Sequence, residues 1–195
     1  AARCADPWEP ESRDLKAGPL SLARTTLPVL GLHVARVGLQ FLWVVLLARQ
    51  LGAAAYGSFS GVVSLGIVLG ALAGLGAGLR LYQDTARDPA LFSRRWREAN
   101  RALAASALPL GFAFVLLCKP WFPDVATATL VPVAVAELLL APFLLQVANA
   151  FAAHGRVVEA AWVPVAVSTG RVVAVLAMAA LPDGRDLAAY AWLHC

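Results

Sequence analysis

Residues 27–79 decide the fold, as LPVLGLHVARVGLQFLWVVLLA (27–48) and SFSGVVSLGIVLGALAGLGAGL (58–79), joined by RQLGAAAYG (49–57). Each apolar segment is long enough to cross a bilayer, because a transmembrane helix needs about 20 residues. The second has no charged residue, and its glycines recur every four residues: Gly66, Gly70, Gly74 and Gly78. Glycine costs a water-soluble helix about 1 kcal/mol relative to alanine, whereas in lipid such small residues let another helix approach closely. The stretch therefore predicts a membrane-embedded helical hairpin.

The composition of the whole chain agrees with a membrane location. Of its 195 residues, 60% are hydrophobic and 14% are charged. A typical soluble domain is about 25% charged, and a small soluble domain needs proportionally more polar surface than a large one. An integral membrane protein is therefore favoured over a soluble domain.

Further apolar segments follow the hairpin. They occupy residues 102–122, 125–152 and 160–181, and another begins at Leu187. Most of the charged residues that separate the apolar segments lie in residues 80–101, which are predicted to be the one substantial polar loop. The sequence predicts an all-α integral membrane protein: a polytopic transmembrane helix bundle with about five complete spans plus the start of a sixth.

The same pattern divides the chain in two. Residues 1–25 are polar and predict a cytoplasmic tail, and residues 26–195 predict a transmembrane helical domain. The chain begins with alanine, and its last apolar segment stops after about two turns. We therefore expect it to be a fragment of a longer protein.

The positions of lysine and arginine set the predicted orientation, because cytoplasmic loops carry the excess of these residues. One side receives the basic residues of the tail, six arginines in residues 80–101, and Arg156. The other side receives only Arg49, Lys119 and Arg185. The sequence therefore predicts a multi-pass protein of the cell inner (cytoplasmic) membrane with a cytoplasmic amino terminus. Because this distribution explains the net charge of +4, nucleic acid is not an expected partner.

Polar residues within the apolar segments are the candidate functional residues, because a charge at mid-bilayer costs a few kcal/mol. His33, Arg36 and Gln40 share one face of the first helix by their spacing. Glu137 lies near the middle of the fourth segment and Arg171 near the middle of the fifth. Two arginines and one glutamate on three helices predict a polar cavity with a positive wall. Phosphate is a natural ligand there, since guanidinium matches its oxygens with paired donors.

Glu137 has alternative roles. It is predicted either to pair with Arg36 or Arg171 and hold the bundle together, or to act as a proton or cation coupling site. The sequence leaves the pairing partner open. No metal or cofactor is expected, because Cys4, Cys118 and Cys195 are far apart and no histidine stands at ligand spacing.

The hairpin also carries a family resemblance. Its motifs are Leu47-Ala-Arg-Gln-Leu-Gly52, Tyr56-Gly-Ser-Phe59 and Gly74-Leu-Gly-Ala-Gly-Leu-Arg80. This order resembles the opening of polysaccharide-export flippases, which belong to the superfamily of multidrug, oligosaccharidyl-lipid and polysaccharide transporters. The resemblance loosely covers the chain from Leu27 onward, and only the hairpin motif is specific.

The resemblance implies a bundle of about 12 to 14 helices in two lobes, working by alternating access. The chain would then be most of the amino-terminal lobe. The cargo would be a lipid-linked (diphosphate) oligosaccharide or polysaccharide precursor, and Arg36 would match the position that receives the diphosphate, with Arg171 and Gln40 beside it. Expected partners are the lipid-linked glycan, membrane lipids, and polysaccharide polymerase or export machinery.

Three other functions compete with a flippase. A cation-coupled drug or metabolite exporter of the same superfamily would want acidic residues in the early helices, and the first two contain none. A membrane-embedded enzyme would need a nucleophile, metal ligands or an acid/base pair at a membrane surface. Asp84 and Asp88 are the nearest approach to such a cluster and are typical of solvated charges, so the chain is not expected to be an enzyme. A non-transporting scaffold subunit stays open.

Overall fold

The computed structural model describes residues 19–123 and 125–180, with side chains from Thr26 onward. This part of the chain is almost entirely helical and contains no strand, which confirms the predicted all-α class. Most of the predicted tail (1–25) and the predicted sixth segment from Leu187 lie outside the described residues.

Six α-helices follow one another along the described chain: α1 (Pro19–Gly70), α2 (Ala77–Arg87), α3 (Phe92–Trp121), α4 (Thr127–Val135), α5 (Ala141–Ala153) and α6 (Val157–Ala180). Short 3₁₀ turns lie on either side of α2, at Ala73–Gly76 and Pro89–Leu91. A π-helical turn, Ala136–Leu140, joins α4 to α5 into one continuous rod. Four helical stretches of this region are long and apolar enough to cross a membrane: Thr26–Arg87, Pro89–Trp121, Thr127–Ala153 and Val157–Ala180.

The chain reverses direction at Gly52, inside α1. Gly52 has φ 77° and ψ 166°, a conformation open to glycine because it lacks a Cβ. In a straight helix Arg36 and Gly70 would stand roughly 50 Å apart, at about 1.5 Å per residue, yet both line one cavity. The predicted hairpin is therefore present, with a first arm before Gly52 and a second arm after it. Its turn is shorter than the predicted 49–57, because residues 53–57 are helical.

The second predicted helix (58–79) is interrupted near its end, so the prediction of one continuous helix is wrong. The second arm stops at Gly70, and Gly74, Leu75 and Gly76 have φ values of 74°, 49° and 75°. Left-handed backbone cannot continue a right-handed helix, and two of these three positions are glycines, which adopt it freely. The Ser106 hydroxyl of α3 accepts a hydrogen bond from the Gly74 N–H at 2.8 Å and so holds the interruption in place.

The predicted polar loop, residues 80–101, is also helical. It begins within α2, passes through the turn at Pro89–Leu91, and continues as the first part of α3. The Asp88 carboxylate accepts a hydrogen bond from the Ala90 N–H at 3.0 Å and caps that turn. The prediction of a loop is wrong because arginine and glutamate are good helix formers, whatever their polarity.

One ion pair joins α2 to this polar part of α3, and two more within α3 adjoin it. Arg95 Nε of α3 lies 2.7 Å from Asp84 Oδ2 of α2. Glu98 accepts from Arg95 Nη1 at 2.6 Å and from Arg94 Nε at 2.8 Å. Asp84, Arg95 and Glu98, which suggested a solvated loop, are therefore linked in one network where the two helices pack. Arg94 joins this network from the exposed side of α3.

The glycine spacing of the second arm is explained by its contact with the π-helical turn. A Cβ placed on Gly70 would lie 2.6 Å from the Glu137 backbone oxygen, and one on Gly66 would lie 3.1 Å from the Glu137 Cβ. The first arm packs instead against α6, where Gln50 Nε2 donates a hydrogen bond to the Val175 backbone oxygen at 3.2 Å. The hairpin therefore lies between α6, which contacts its first arm, and the rod, which contacts its second arm.

Large apolar side chains remain uncovered on the outside of the described bundle. The exposed fractions of Phe41, Leu108 and Trp121 are 70%, 82% and 78%. Soluble monomers rarely expose broad apolar surfaces, and larger ones mark contact with lipid or with other protein. Together with the four long apolar helical stretches, this surface indicates a membrane protein.

Candidate functional site

An ion pair joins α6 to the π-helical turn. Arg171 Nη2 donates to Glu137 Oε1 at 3.0 Å, and the exposed fractions of the two side chains are 25% and 4%. The Arg171 guanidinium also lies over the Trp43 ring, with 5.5 Å from its carbon to the ring centroid, an arrangement that is electrostatically favourable. The sequence left open whether Glu137 pairs with Arg36 or with Arg171, and in the structure Glu137 pairs with Arg171.

The π-helical turn positions the Glu137 carboxylate. The Ala141 N–H donates to the Ala136 oxygen, five residues back, and Pro142 follows with no N–H of its own. A proline removes one helical hydrogen bond, which suits a local widening of the helix. Such turns occur frequently at functional sites.

Arg36 is the second intramembrane arginine, and its environment differs from that of Arg171. Its side chain is half-buried in the first arm, and within the described chain it makes no hydrogen bond or ion pair. It lines two adjoining cavities, of about 300 Å³ and about 690 Å³, whose walls also share Ala141 and Leu145. A half-buried guanidinium therefore faces open space with its donors unused.

The smaller cavity, here called the α6 cavity, lies between the first arm, α5 and α6. Arg36 and Gln40 enter it from the first arm, and Ser168 and Arg171 enter it from α6. The Ser168 hydroxyl is already bonded to the Pro164 oxygen of its own helix at 3.0 Å. The polar atoms left for a ligand are therefore those of Arg36, Gln40 and the part of Arg171 not engaged by Glu137.

The larger cavity, here called the α2 cavity, lies between Arg36, the broken end of the second arm, and the rod. Its polar side chains are Arg36, Glu137, Gln146 and Asn149. The rest of its wall includes the glycines on either side of the interruption, so much of the lining there is backbone. Irregular backbone at membrane depth is tolerated where it is buried in protein or lines a cavity.

All four residues proposed from the sequence thus lie at these cavities. Arg36 lines both, Gln40 and Arg171 line the α6 cavity, and Glu137 lines the α2 cavity. His33, which the spacing places on the same face, is exposed and lines neither cavity. The negative charge of Glu137 balances the positive charge of Arg171. Arg36 therefore supplies the remaining positive charge of the predicted cavity wall.

Gln146 and Asn149 were missed as site residues by the sequence analysis. Gln146 is 4% exposed, and Asn149 Nδ2 donates to the Gly78 oxygen at 3.5 Å. Both are polar residues in the same apolar segment as Glu137, and that polarity is the signal that could have identified them, although neither carries a charge. Between residues 26 and 180, as far as the structure describes them, no group of three or more His, Cys, Asp or Glu side chains could hold a metal ion.

Comparison of the chain with family models, with curated proteins and with solved structures gives no match.

Proposed function

We propose that this chain is part of a membrane transporter that moves a lipid-linked diphosphate oligosaccharide or polysaccharide precursor across the cytoplasmic membrane by alternating access. The observation that supports it most is Arg36, a half-buried arginine without a hydrogen-bond or ion-pair partner in the described chain, at the junction of two cavities. Charged side chains within membrane helices mark substrate or ion pathways when they face a cavity.

The chemistry of Arg36 favours an anionic cargo. A guanidinium presents five N–H donors in a rigid fork that fits phosphate oxygens in pairs. The surrounding walls are mostly aliphatic, so few other polar side chains surround those donors. A ligand with a phosphate for Arg36 and a polar or apolar body for the cavities satisfies this environment better than a cation.

Arg171 and Glu137 have a different role in this proposal. Their ion pair joins α6 to the π-helical turn and leaves the carboxylate 4% exposed. A cation-coupled exporter would need that carboxylate to bind its coupling ion in place of Arg171. We therefore assign the pair to holding the bundle together, and the contact with cargo to Arg36 and, at its side, Gln40.

The proposed topology has five crossings and the start of a sixth. Residues 26–87 form two of them because the chain reverses at Gly52, and the next three helical stretches supply one crossing each. Alternating access in one chain requires a second lobe to rock against this one, so the proposal has these cavities facing a second lobe.

The orientation can be tested with two cysteine variants that differ in predicted side. Ser93→Cys stands in the arginine-rich segment and Ala53→Cys stands beside the reversal at Gly52; both positions are exposed. In a background whose native cysteines are replaced, an impermeant thiol reagent added to intact cells should label Ala53→Cys and spare Ser93→Cys until the cells are opened. The opposite pattern would place the amino terminus outside.

The function itself is tested at Arg36. Arg36→Ala in the full-length protein, reconstituted into vesicles, should lower the translocation rate of a fluorescent polyprenyl-diphosphate sugar by about tenfold or more, because a bond to a charged group contributes about 1.5–3 kcal/mol. Insertion and thermal stability should be unchanged, since Arg36 makes no ion pair in the described chain.

The matched control is Arg49→Ala, the same change in the same arm at an exposed position that lines neither cavity. It should translocate the probe at the wild-type rate. Equal rates for the two variants would remove Arg36 from the substrate path. A wild-type protein that translocates nothing would instead favour the scaffold alternative.

A further inference from the structure

A pocket of about 330 Å³, here called the aromatic pocket, opens where α3 begins and where α5 is followed by α6. Phe92 and Trp96 of α3 line one side, and Phe151 and His154 at the end of α5 line the other. The rings of Phe92 and His154 meet edge to face, with centroids 5.0 Å apart. Among the described residues, the pocket shares none of its lining with the two cavities at Arg36.

Arg156 forms the exposed edge of the aromatic pocket and has donors available for a ligand. Its guanidinium carbon lies 5.0 Å from the centroid of the Phe151 ring, and its Nε donates to Glu159 at 3.1 Å. Within the described chain, its two Nη atoms make no hydrogen bond or ion pair. The ring and the carboxylate therefore orient the guanidinium and leave terminal donors that fit phosphate oxygens.

The polar and apolar groups of the pocket lie at different depths along α5. Arg156 stands three residues beyond the end of α5 at Ala153. Val147, which also lines the pocket, lies roughly 9 Å deeper than Ala153, at about 1.5 Å per residue. Another turn deeper, the ring of Phe143 lies 6.0 Å from that of Trp96, between centroids, and Phe143 is 37% exposed. The apolar surface thus continues from the pocket along the bundle, as a phospholipid with a polar headgroup and apolar chains requires.

The charge at this end of the bundle favours an anionic lipid. Residues 80–101 contain six arginines and three carboxylates, and the contact of Phe92 with His154 brings this segment to the pocket. Arg156 and Glu159 balance each other, so the excess charge is positive. In the proposed orientation this end meets the cytoplasmic leaflet, which carries anionic lipids, and basic pockets between membrane helices on that side bind their headgroups.

We propose that the aromatic pocket binds one anionic phospholipid, with its phosphate on the Arg156 guanidinium and an acyl chain against Trp96 and Val147. The inference goes beyond the proposed function, because it depends neither on the cargo nor on Arg36. It takes from that proposal only the orientation of the bundle. A bound lipid would link the start of α3 to the turn between α5 and α6.

Quenching of tryptophan fluorescence by brominated lipid measures this binding. The full-length protein is placed in phosphatidylcholine nanodiscs that contain an increasing fraction of brominated phosphatidylglycerol or, for comparison, of brominated phosphatidylcholine. Phosphatidylglycerol should quench more strongly at low fractions, and its excess quenching should saturate. The excess should vanish in Trp96→Phe, because the exposed Trp121 and Trp162 meet both lipids alike. An excess that persists in Trp96→Phe would place the lipid elsewhere and overturn the proposal.

Three variants distinguish the pocket from a general attraction of anionic lipid. Arg156→Gln should lower the preference for phosphatidylglycerol by about tenfold, because bonds to a charged donor are lost. Ala150→Leu adds apolar volume to the lining without changing the charge, and it should also remove the preference. Arg97→Gln is the matched control, since it removes the same charge from an exposed position of α3 outside the pocket. Salt screens such a charge, so its preference should stay close to that of the wild-type protein.

The outcomes also identify other occupants. Equal losses in Arg156→Gln and Arg97→Gln would indicate diffuse attraction and overturn the pocket, as would equal quenching of the wild-type protein by the two lipids. If glycerol phosphate in solution relieves the quenching, the pocket binds a soluble phosphate and the lipid is overturned. None of these results changes the expected translocation rate of Arg36→Ala, so the proposed function stands or fails separately.

Discussion

Arg171→Leu is expected to lower the free energy of unfolding by about 1.5–3 kcal/mol, the typical contribution of a hydrogen bond to a charged group. Glu137 would stay 4% exposed without the guanidinium that now donates to it at 3.0 Å. The cation–π contact with Trp43 would be lost as well. Unfolding with denaturant in bicelles, followed by helix content, measures the effect.

The double variant Arg171→Leu/Glu137→Leu is the decisive comparison. Replacing both members of a buried pair by apolar residues is often neutral or stabilising, so the double variant should recover most of the loss. Arg156→Leu serves as a surface control, because the exposed fractions of the Arg156 and Glu159 side chains are 57% and 45% and such pairs contribute about 0–1 kcal/mol. If Arg171→Leu costs no more than Arg156→Leu, the pair does not hold the bundle.

These variants also separate stability from transport. Arg171 stands at the α6 cavity and in the ion pair, whereas Arg36 stands at both cavities without a partner in the described region. Loss of the Arg171 charge should therefore reduce the amount of folded protein, and loss of the Arg36 charge should reduce activity per folded molecule. Each arginine stands alone inside an apolar segment, so the sequence does not distinguish them. Their different roles follow from the ion pair that Glu137 forms with Arg171.

The helical class and the hairpin could be predicted because both depend on local properties. An apolar segment of sufficient length has few alternatives to a helix in lipid, since every backbone group must be satisfied internally. A glycine at position 52 between two such segments permits the reversal. Charges inside apolar segments could be selected as site residues for the same reason, because the cost of placing them in lipid does not depend on the rest of the fold.

The remaining features depend on contacts between segments distant in sequence. Whether Glu137 meets Arg36 or Arg171 is decided by how α6 and the first arm rotate against the rod. The interruption near Gly74 depends on a hydroxyl supplied by Ser106, 32 residues away. Residues 80–101 were predicted as a loop from their polarity, although the Asp84–Arg95 pair allows charged helices to pack.

Gly70→Ala is expected to destabilise the bundle by about 1–3 kcal/mol, the typical cost of overpacking, although alanine is the better helix former. The added Cβ would lie 2.6 Å from the Glu137 backbone oxygen, which belongs to the rod and cannot rotate away. The second arm would have to move from the π-helical turn. Gly57→Ala lies in the same arm with no atom within 4 Å of its added Cβ and should raise the midpoint of thermal unfolding, because there only the helix preference acts. Opposite shifts of the two midpoints, measured in nanodiscs, would show that the glycine spacing serves contact with the rod; equal shifts would mean that the second arm does not approach Glu137 this closely.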